Sequence, residues 1–498
     1  MAASVDPDRS EWDVIVLGGA AAGENAAQYA TQFSGLDAVL VEAELLGGEC
    51  SYWACMPSKA LLRPADVLGN AEHVPGVSSL LTGQQLDVPA VLDRRDTVVN
   101  GLDDSSQIGW ALGVGIDVVR GYGRLDGERS VAVEMTAGGT RVLTARHAVV
   151  IDTGSCTAVP PIPGMREARP WTSRDVTNLH EVPRRVVVLG GGVVACEAAT
   201  WLRALGVAEL SVVYRRSELL PREEPFAGRM VGDRLRDAGV RLLPGRSITK
   251  VGRDDPRDTG VGLPHGGEVT AWLDDGSTLV GDELVLATGR TPNTQDIGLS
   301  SVGCSDDGFL EVDDEQAVQA VSGHWLYAVG DVCGRALLTH MGKYQARVAG
   351  EVIASRATGR PTADAQSGAW GAADGHRGNP QVTFTDPEVG SAGMTERQAR
   401  TAGLDVATVE YDMAALAGTY VMREDYLGRA KLVIDRVSDT VVGATFVGSG
   451  VADLVHSATT AIVARVPLSV LWHVVPSYPT ASEVWLRLLE TYRTQRYA

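Results

Sequence analysis

Lysine is nearly absent from this chain of 498 residues: of its 44 basic side chains, only Lys59, Lys250, Lys343 and Lys431 are lysines. A lysine inside a short motif is therefore not background. Positive charge is also outweighed, because 63 acidic residues leave a formal net charge of -19. That balance excludes nucleic acid and an anionic membrane surface as expected partners, since either requires a basic face. No run of about 18 apolar residues occurs, so no membrane-spanning helix is expected. The opening stretch MAASVDPDRSEW lacks the basic start and apolar core of a signal peptide, and a soluble cytoplasmic protein is the expectation. Cysteine is scarce as well, at six residues (50, 55, 156, 196, 304 and 333) with one short-spaced pair. This pattern fits neither a secreted disulfide framework nor a zinc site. The length suggests three or four domains.

Against that background stands Gly47 to Lys59, GGECSYWACMPSK, with Cys50 and Cys55 beside a Pro-Ser-Lys. In a regular helix, positions i and i+5 lie roughly 8 to 9 Å apart between Cα atoms, whereas a disulfide needs about 4.4 to 6.8 Å. If the two bridge, the first turn must be distorted. Strained or exposed disulfides have the more oxidising potentials, which suits a redox shuttle; the competing reading is two unrelated thiols.

The stretch follows a nucleotide-binding pattern. Glu11 to Glu42 reads as strand, glycine turn, helix, strand, with Gly18-Gly19-Ala20-Ala21-Ala22-Gly23 fitting G-x-G-x-x-G except that Ala20 holds the middle glycine position. Gly18, Gly19 and Gly23 would approach a pyrophosphate, and Glu42 ends the second strand where an acid accepts hydrogen bonds from a ribose. A second such unit begins at Arg185, where Gly190, Gly192 and Ala195 fit G-x-G-x-x-A. At the end of its next strand the sequence offers Tyr214-Arg215-Arg216 instead of a carboxylate. Arginines there would pair with a 2′-phosphate, so NADPH is expected over NADH. The alternative is that Arg215 and Arg216 are solvated surface charges.

The stretch GG-x-C-x4-C-x-P-S-K after a dinucleotide fold resembles the flavin-dependent pyridine nucleotide-disulfide oxidoreductases, and the resemblance runs almost the whole length. It implies FAD at the first turn, with Gly48 and Lys59 beside the cofactor. It implies that Cys55 is the flavin-proximal thiolate, that Cys50 is the exposed thiol that attacks the substrate, and that Glu197 pairs with Lys59. Gly123 matches a position near the adenine of FAD. Thr153 and Gly154 match the crossover out of the FAD domain. Gly289 and Arg290 lie in the returning A-T-G-R-x-P-N signature, and Asp331 matches the residue presented to the ribityl chain. His340, at the start of an apparent helix, reads as structural. Tyr52 and Trp53 depart from the small or amide residues of many relatives; they either line the substrate side or fill a gap between helices.

The implied architecture is α/β, with two Rossmann-like dinucleotide-binding domains and a C-terminal α+β dimerisation domain. The expected divisions are 1–165 (FAD-binding, first part), 166–285 (NAD(P)-binding), 286–358 (FAD-binding, second part), 359–379 (linker) and 380–498 (interface). A homodimer with active sites at the subunit interface is implied.

The pattern breaks near the end. Where the family's disulfide reductases have His-Pro-x-x-x-Glu, this chain has Tyr478-Pro479-Thr480-Ala481-Ser482-Glu483. A tyrosine, with an ordinary pKa near 10, is a poor base at neutral pH, though it can donate a hydrogen bond to a substrate oxygen. Glu483 has a second explanation, because Thr480-x-x-Glu483 is also a helix capping box. His473, five residues upstream, is a weaker candidate for the base. The terminus TYRTQRYA has no cysteine pair, which argues against mercury reduction. The expected function is transfer of electrons from NADPH through FAD to Cys50–Cys55 and on to a small-molecule or thiol/disulfide acceptor. The alternatives are a diaphorase-like quinone or acceptor reductase with secondary cysteines, a dihydrolipoamide dehydrogenase, and a flavin redox sensor without turnover.

Overall fold

The computed structural model describes residue 6 and residues 8–360 and 378–497; most of the stretch expected as a linker, 359–379, lies outside the described residues. The chain divides into two compact units, one from the described residues of 1–56, 96–156 and 290–375, the other from those of 57–95, 157–289 and 376–498.

In the first unit, strand β1 (Glu11–Leu17) is buried from Trp12 onward and apolar except for Asp13, whose carboxylate accepts from Arg146 Nε, as suits a strand covered on both faces. Helix α1 (Ala21–Thr31) and strand β2 (Ala38–Glu42) follow, then the short helix α2 (Gly48–Tyr52); helix α3 (Cys55–Ala71) begins at the end of this stretch, and from residue 57 it groups with the second unit. Strands β3 (Ile116–Leu125), β4 (Ser130–Met135) and β5 (Thr140–Ile151) complete most of the sheet. Its parallel core runs β3, β2, β1, β5 and then Leu326–Ala328, while β4 bridges β3 and β5 in antiparallel pairing. Alanines 22, 26, 27 and 30 of α1 are buried, leaving room for the helix Thr339–Thr358. That helix comes so close that a Cβ on Gly350 would lie 2.7 Å from the Tyr29 Cβ.

The second unit repeats the device. Strand β6 (Arg185–Leu189), helix α4 (Val193–Ala204) and strand β7 (Glu209–Tyr214) form the same βαβ turn. Their parallel sheet is ordered Glu283–Leu286, β6, β7, Arg241–Pro244. An antiparallel meander of three strands spans residues 248–281. The last part of this unit is a five-stranded antiparallel sheet ordered 380–383, 388–393, 440–448, 429–435, 406–412, with the helices Leu454–Val463 and Val484–Tyr497 contributing to its core. No helix among the described residues is long and apolar enough to cross a membrane.

Lys431, on a strand of that sheet, is only 5% exposed, and its Nζ donates to Glu224 Oε2 (2.9 Å) and Glu396 Oε2 (2.7 Å). Burial pulls the ammonium's pKa down, but the hydrogen bonds to Glu396 and Glu224 outweigh it and hold the value above its ordinary one. Removing one partner of a buried pair strands the other charge, at a cost of about 3–5 kcal/mol. Lys431→Met is therefore expected to lower unfolding stability by that order, read as a shifted urea midpoint. A midpoint within experimental error of the wild type would show that Glu224 finds solvent instead.

Candidate active site

Each dinucleotide turn is built on one close approach. A Cβ at Gly18 (φ +98°) would lie 2.1 Å from the Asp152 carbonyl oxygen, and one at Gly190 (φ +139°) would lie 2.2 Å from that of Ala287. Both turns are pinned to the residue following the adjacent parallel strand. The helices that follow, α1 and α4, start at Ala20 and Gly192, whose side chains provide no cap. The cap residues thus supply no side-chain acceptor to the first turns, although in α1 the Gly23 N–H is taken by Asp152 Oδ2; an uncapped helix N-terminus is where a phosphate binds. The turns fit the pyrophosphates of two dinucleotides.

Ala20, which replaces the middle glycine, is accommodated on the far side of the turn. A Cβ on Gly48 (φ +62°) would sit 2.5 Å from the Ala20 Cβ, so the alanine methyl fills the space that glycine leaves at the start of α2. The Gly47 N–H donates to the Gly19 carbonyl at 2.7 Å, joining the cysteine stretch to the turn. Glu42 accepts from the backbone N–H groups of Gly19 and Glu44, both at 2.7 Å; burial outweighs these bonds and raises its pKa. Gly123 needs its small size for packing, because a Cβ there would meet Leu17 and Val41.

The helix is broken between the cysteines. α2 ends at Tyr52 and α3 begins at Cys55, with Trp53 in a non-helical conformation (φ -131°, ψ -2°). Cys50 and Cys55 are half-buried free thiols. Cys50 is hydrogen-bonded to Cys55; that bond, then burial, push the Cys50 thiol up, with Thr339 and Lys343 acting the other way. Cys55 Sγ lies 3.3 Å from Thr339 Oγ1, at the first residue of the helix Thr339–Thr358. Tyr52 and Trp53 do not line a channel: they are 1% and 7% exposed and pack with Val99, and the Tyr52 hydroxyl donates to the Leu46 carbonyl at 3.1 Å. His340, beside Thr339, is exposed on that helix.

Arg290 Nε donates to Ser155 Oγ at 2.6 Å, and Ser155 Oγ donates to Asp331 Oδ2 at 2.5 Å. Thr153 Oγ1 donates to the Asn293 carbonyl at 2.7 Å, and Gly154 has open space around its α-carbon. Near the second turn, Tyr214 is buried against Gly191, while Arg215 and Arg216 are exposed and form no ion pair among the described residues. In the same unit, Gly289 (φ +121°) has no atom within 4 Å of its Cβ position, and Ala195 is buried in α4. Lys59 Nζ donates to both carboxylate oxygens of Glu197, at 3.0 and 2.8 Å. Glu197 also accepts from the Phe384 N–H at 2.9 Å, and Lys59 lies over the Phe384 ring.

Tyr478 is 75% exposed, and no hydrogen bond joins it to Glu483 among the described residues. His473 is exposed too. The capping box considered for Thr480 and Glu483 does not form, since Thr480 makes no side-chain cap and its hydroxyl donates to the Ser477 carbonyl. Glu483, 7% exposed, instead receives Arg487 Nη2 at 2.6 Å, and its Oε2 is buried with no hydrogen-bond partner.

Residues 12–350 match the sequence profile of the pyridine nucleotide-disulphide oxidoreductases, and residues 379–488 match that of their dimerisation domain. The chain belongs to this family. It is thus an enzyme of the flavoprotein disulfide oxidoreductase class, whose members use FAD and a pyridine nucleotide and carry a domain for homodimerisation. It is 28% identical over 484 residues to a dihydrolipoyl dehydrogenase of Chlamydia muridarum, covering 95% of each chain. It is 28% identical over 460 residues to a mercuric reductase of Staphylococcus aureus, covering 92% of this chain and 78% of the relative. The flavoprotein disulfide reductase RclA of Escherichia coli has the same fold, with a TM-score of 0.77, 24% identity and coverage of 96% and 99% of the two chains.

Sequence reasoning passed over Thr339, Ser155, Asp152 and Glu24. Asp152 and Ser155 flank Thr153 and Gly154 at the crossover, and Thr339 adjoins the histidine that drew attention instead. Asp152 is fully buried, accepts the Gly23 N–H, and is raised well above the usual carboxylate range by desolvation. Glu24 has a buried Oε1 without a partner, and burial pushes its pKa up to about 7.

Two predictions follow from this geometry. Gly48→Ala forces a methyl against Ala20 at a positive φ, a strain of about 1–3 kcal/mol; bound-flavin absorbance should fall several-fold and return in the Ala20→Gly, Gly48→Ala double variant. Full flavin in the single variant would mean that α2 moves freely. Because Glu24's folded value lies above its ordinary 4.5, the folded chain holds that proton more tightly than the unfolded chain. Stability of the flavin-free protein should therefore fall as pH rises from about 4.5 to about 7. Glu24→Gln should remove that slope and gain up to about 3 kcal/mol above it, as read from urea midpoints across the range; a wild-type slope in the variant would exclude Glu24 as its source.

Proposed function

We propose that the enzyme passes two electrons from NADPH through FAD to the Cys50–Cys55 disulfide and on to a disulfide or similar two-electron acceptor. The observation that carries this reading is the helix break that lets two free thiols meet beside Thr339. FAD, when bound, supplies the step that turns a hydride from the nicotinamide into an electron pair for the disulfide.

The reduced pair holds the two electrons the acceptor needs. Cys50, having passed its proton to Cys55, attacks one sulfur of the acceptor disulfide as a thiolate; that S–S bond breaks, the leaving sulfur takes a proton from solvent, and a mixed disulfide stays on Cys50. Cys55 then attacks Cys50 Sγ, the mixed S–S bond breaks, and the second leaving sulfur takes up the proton that Cys55 gives up as the Cys50–Cys55 bond re-forms. The assignment of Cys55 as the inner thiolate is supported by the hydroxyl of Thr339, 3.3 Å from its Sγ at the start of a helix. Lys59, fixed by Glu197, is a positioning cation near the cofactor. Glu42, Gly123, Thr153, Gly154, Arg290 and Asp331 are assigned to FAD. Arg215 and Arg216 are assigned to the 2′-phosphate of NADPH, a role supported by their exposure and by the aromatic side chain at 214. Tyr478 and Glu483 are assigned to the acceptor side of a site completed by the partner subunit, where a phenol can donate a hydrogen bond to a substrate oxygen but is a weaker base than an imidazole. That weak base favours a second reading, in which a quinone or other acceptor takes electrons directly and the thiols are secondary.

An anaerobic NADPH titration of the holoenzyme separates the two. A long-wavelength thiolate–flavin band after one equivalent in the wild type, absent from Cys55→Ser, is the expected result. Direct bleaching in both proteins would transfer the assignment to the second reading. For the nucleotide, Arg215→Ser with Arg216→Ser is expected to raise KM for NADPH by about tenfold or more, equivalent to about 1.4 kcal/mol, with KM for NADH unchanged. Equal changes for both nucleotides would remove the 2′-phosphate assignment.

A further inference from the structure

We propose that Lys343 is a positioning residue whose ammonium keeps the reduced Cys50–Cys55 pair in its singly ionised form, in a chain that has a tyrosine, Tyr478, at the position expected for a histidine base. The inference rests on the reading that this pair is redox-active. Thr339, whose hydroxyl lies 3.3 Å from Cys55 Sγ, opens the 20-residue helix Thr339–Thr358. Lys343 follows four residues later, so the two side chains share one face of the helix. The backbone fixes that face in place: a Cβ on Gly342 would lie 3.2 Å from the Gly330 Cα and 3.4 Å from the Ala22 Cβ. The helix therefore has little freedom to carry Lys343 away. Its N-terminal end, directed at the thiols, adds partial positive charge of the same sign.

The other lysines are already engaged. Lys59 is paired with Glu197, Lys431 with Glu224 and Glu396, and Lys250 sits over the Trp272 ring. Lys343 is exposed and has no ion pair among the described residues. Its charge acts on Cys50, easing ionisation, and on Glu24 of α1. The groups facing this corner from the packed elements are Glu24 on α1, Glu42 at the end of β2, Tyr52 on α2, and Asp152 and Asp331 at strand ends. Glu24, the carboxylate that feels Lys343, is raised to about 7 by burial, so near neutrality it is only partly ionised and leaves the ammonium much of its charge. Tyr52 is raised to about 12, chiefly by burial, and stays neutral.

The test uses full-length holoenzyme and its Lys343→Met and Lys343→Arg variants, reduced anaerobically. The readouts are the pH at which the thiolate–flavin band develops and the pH profile of Cys50 alkylation by iodoacetamide after reduction with excess dithiothreitol. Lys343→Met should move both midpoints upward and slow alkylation at neutral pH by about tenfold, one pKa unit's worth; Lys343→Arg should restore both. Unchanged profiles in Lys343→Met, or an equal loss in Lys343→Arg, would overturn the proposal. If the band never forms in the wild type, the redox reading of the cysteines fails. The alkylation profile, which needs no flavin signal, still decides the role of Lys343.

Discussion

The contact between the glycine turn at 18–23 and the pair Gly47–Gly48 is the constraint on which the first unit depends. The methyl of Ala20 and the bare α-carbon of Gly48 share one small space, and the Gly47 N–H closes onto the Gly19 carbonyl. This contact sets where α2 starts, and hence where Cys50 stands relative to the turn that would hold a pyrophosphate. The helix break at Trp53 then sets Cys55 against its partner and against Thr339. Tyr52 and Trp53, at the break, are buried beside Val99, so a change of conformation there would have to expose two aromatic rings.

The two units solve the same problem with different side chains. Each lays its first glycine on the carbonyl that follows a neighbouring parallel strand, and each starts a helix without a side-chain cap. They differ at the end of the second strand. Glu42 there gathers two backbone N–H groups, whereas Tyr214 turns onto Gly191 and leaves two arginines outside. One backbone plan thus offers an acceptor of hydrogen bonds at one site and positive charge at the other.

Both turns and the cysteine stretch were legible because each depends on local spacing, glycines or cysteines at fixed intervals beside a strand and a helix period, whereas the boundary at residue 380 came from the family resemblance. What stayed hidden depends on contacts distant in sequence. Thr339 reaches Cys55 across 284 positions. Residues 57–95 group with the second unit, where buried Arg95 donates to the carbonyls of Thr177 and Leu179. Local patterns also misled: Thr480-x-x-Glu483 has the letters of a capping box, but the buried Glu483 is drawn to Arg487, one turn onward. Tyr52 and Trp53 could be placed in a channel or a core, and only their burial decides for the core.

Lys431 has a consequence for how this chain can be recombined. Its ammonium is met by Glu224 from the nucleotide-binding part of the second unit and by Glu396 and, more distantly at 3.9 Å, Glu410 from the sheet part. One ammonium thus meets carboxylates from both stretches, and changing it alters what each of them faces. The C-terminal sheet is therefore not a cassette to be exchanged freely: a graft that replaced residue 431 by an apolar side chain would take from the buried Glu224 its cation. In a sequence otherwise almost free of lysine, the lysine at 431 is the one an exchange of this sheet has to carry with it.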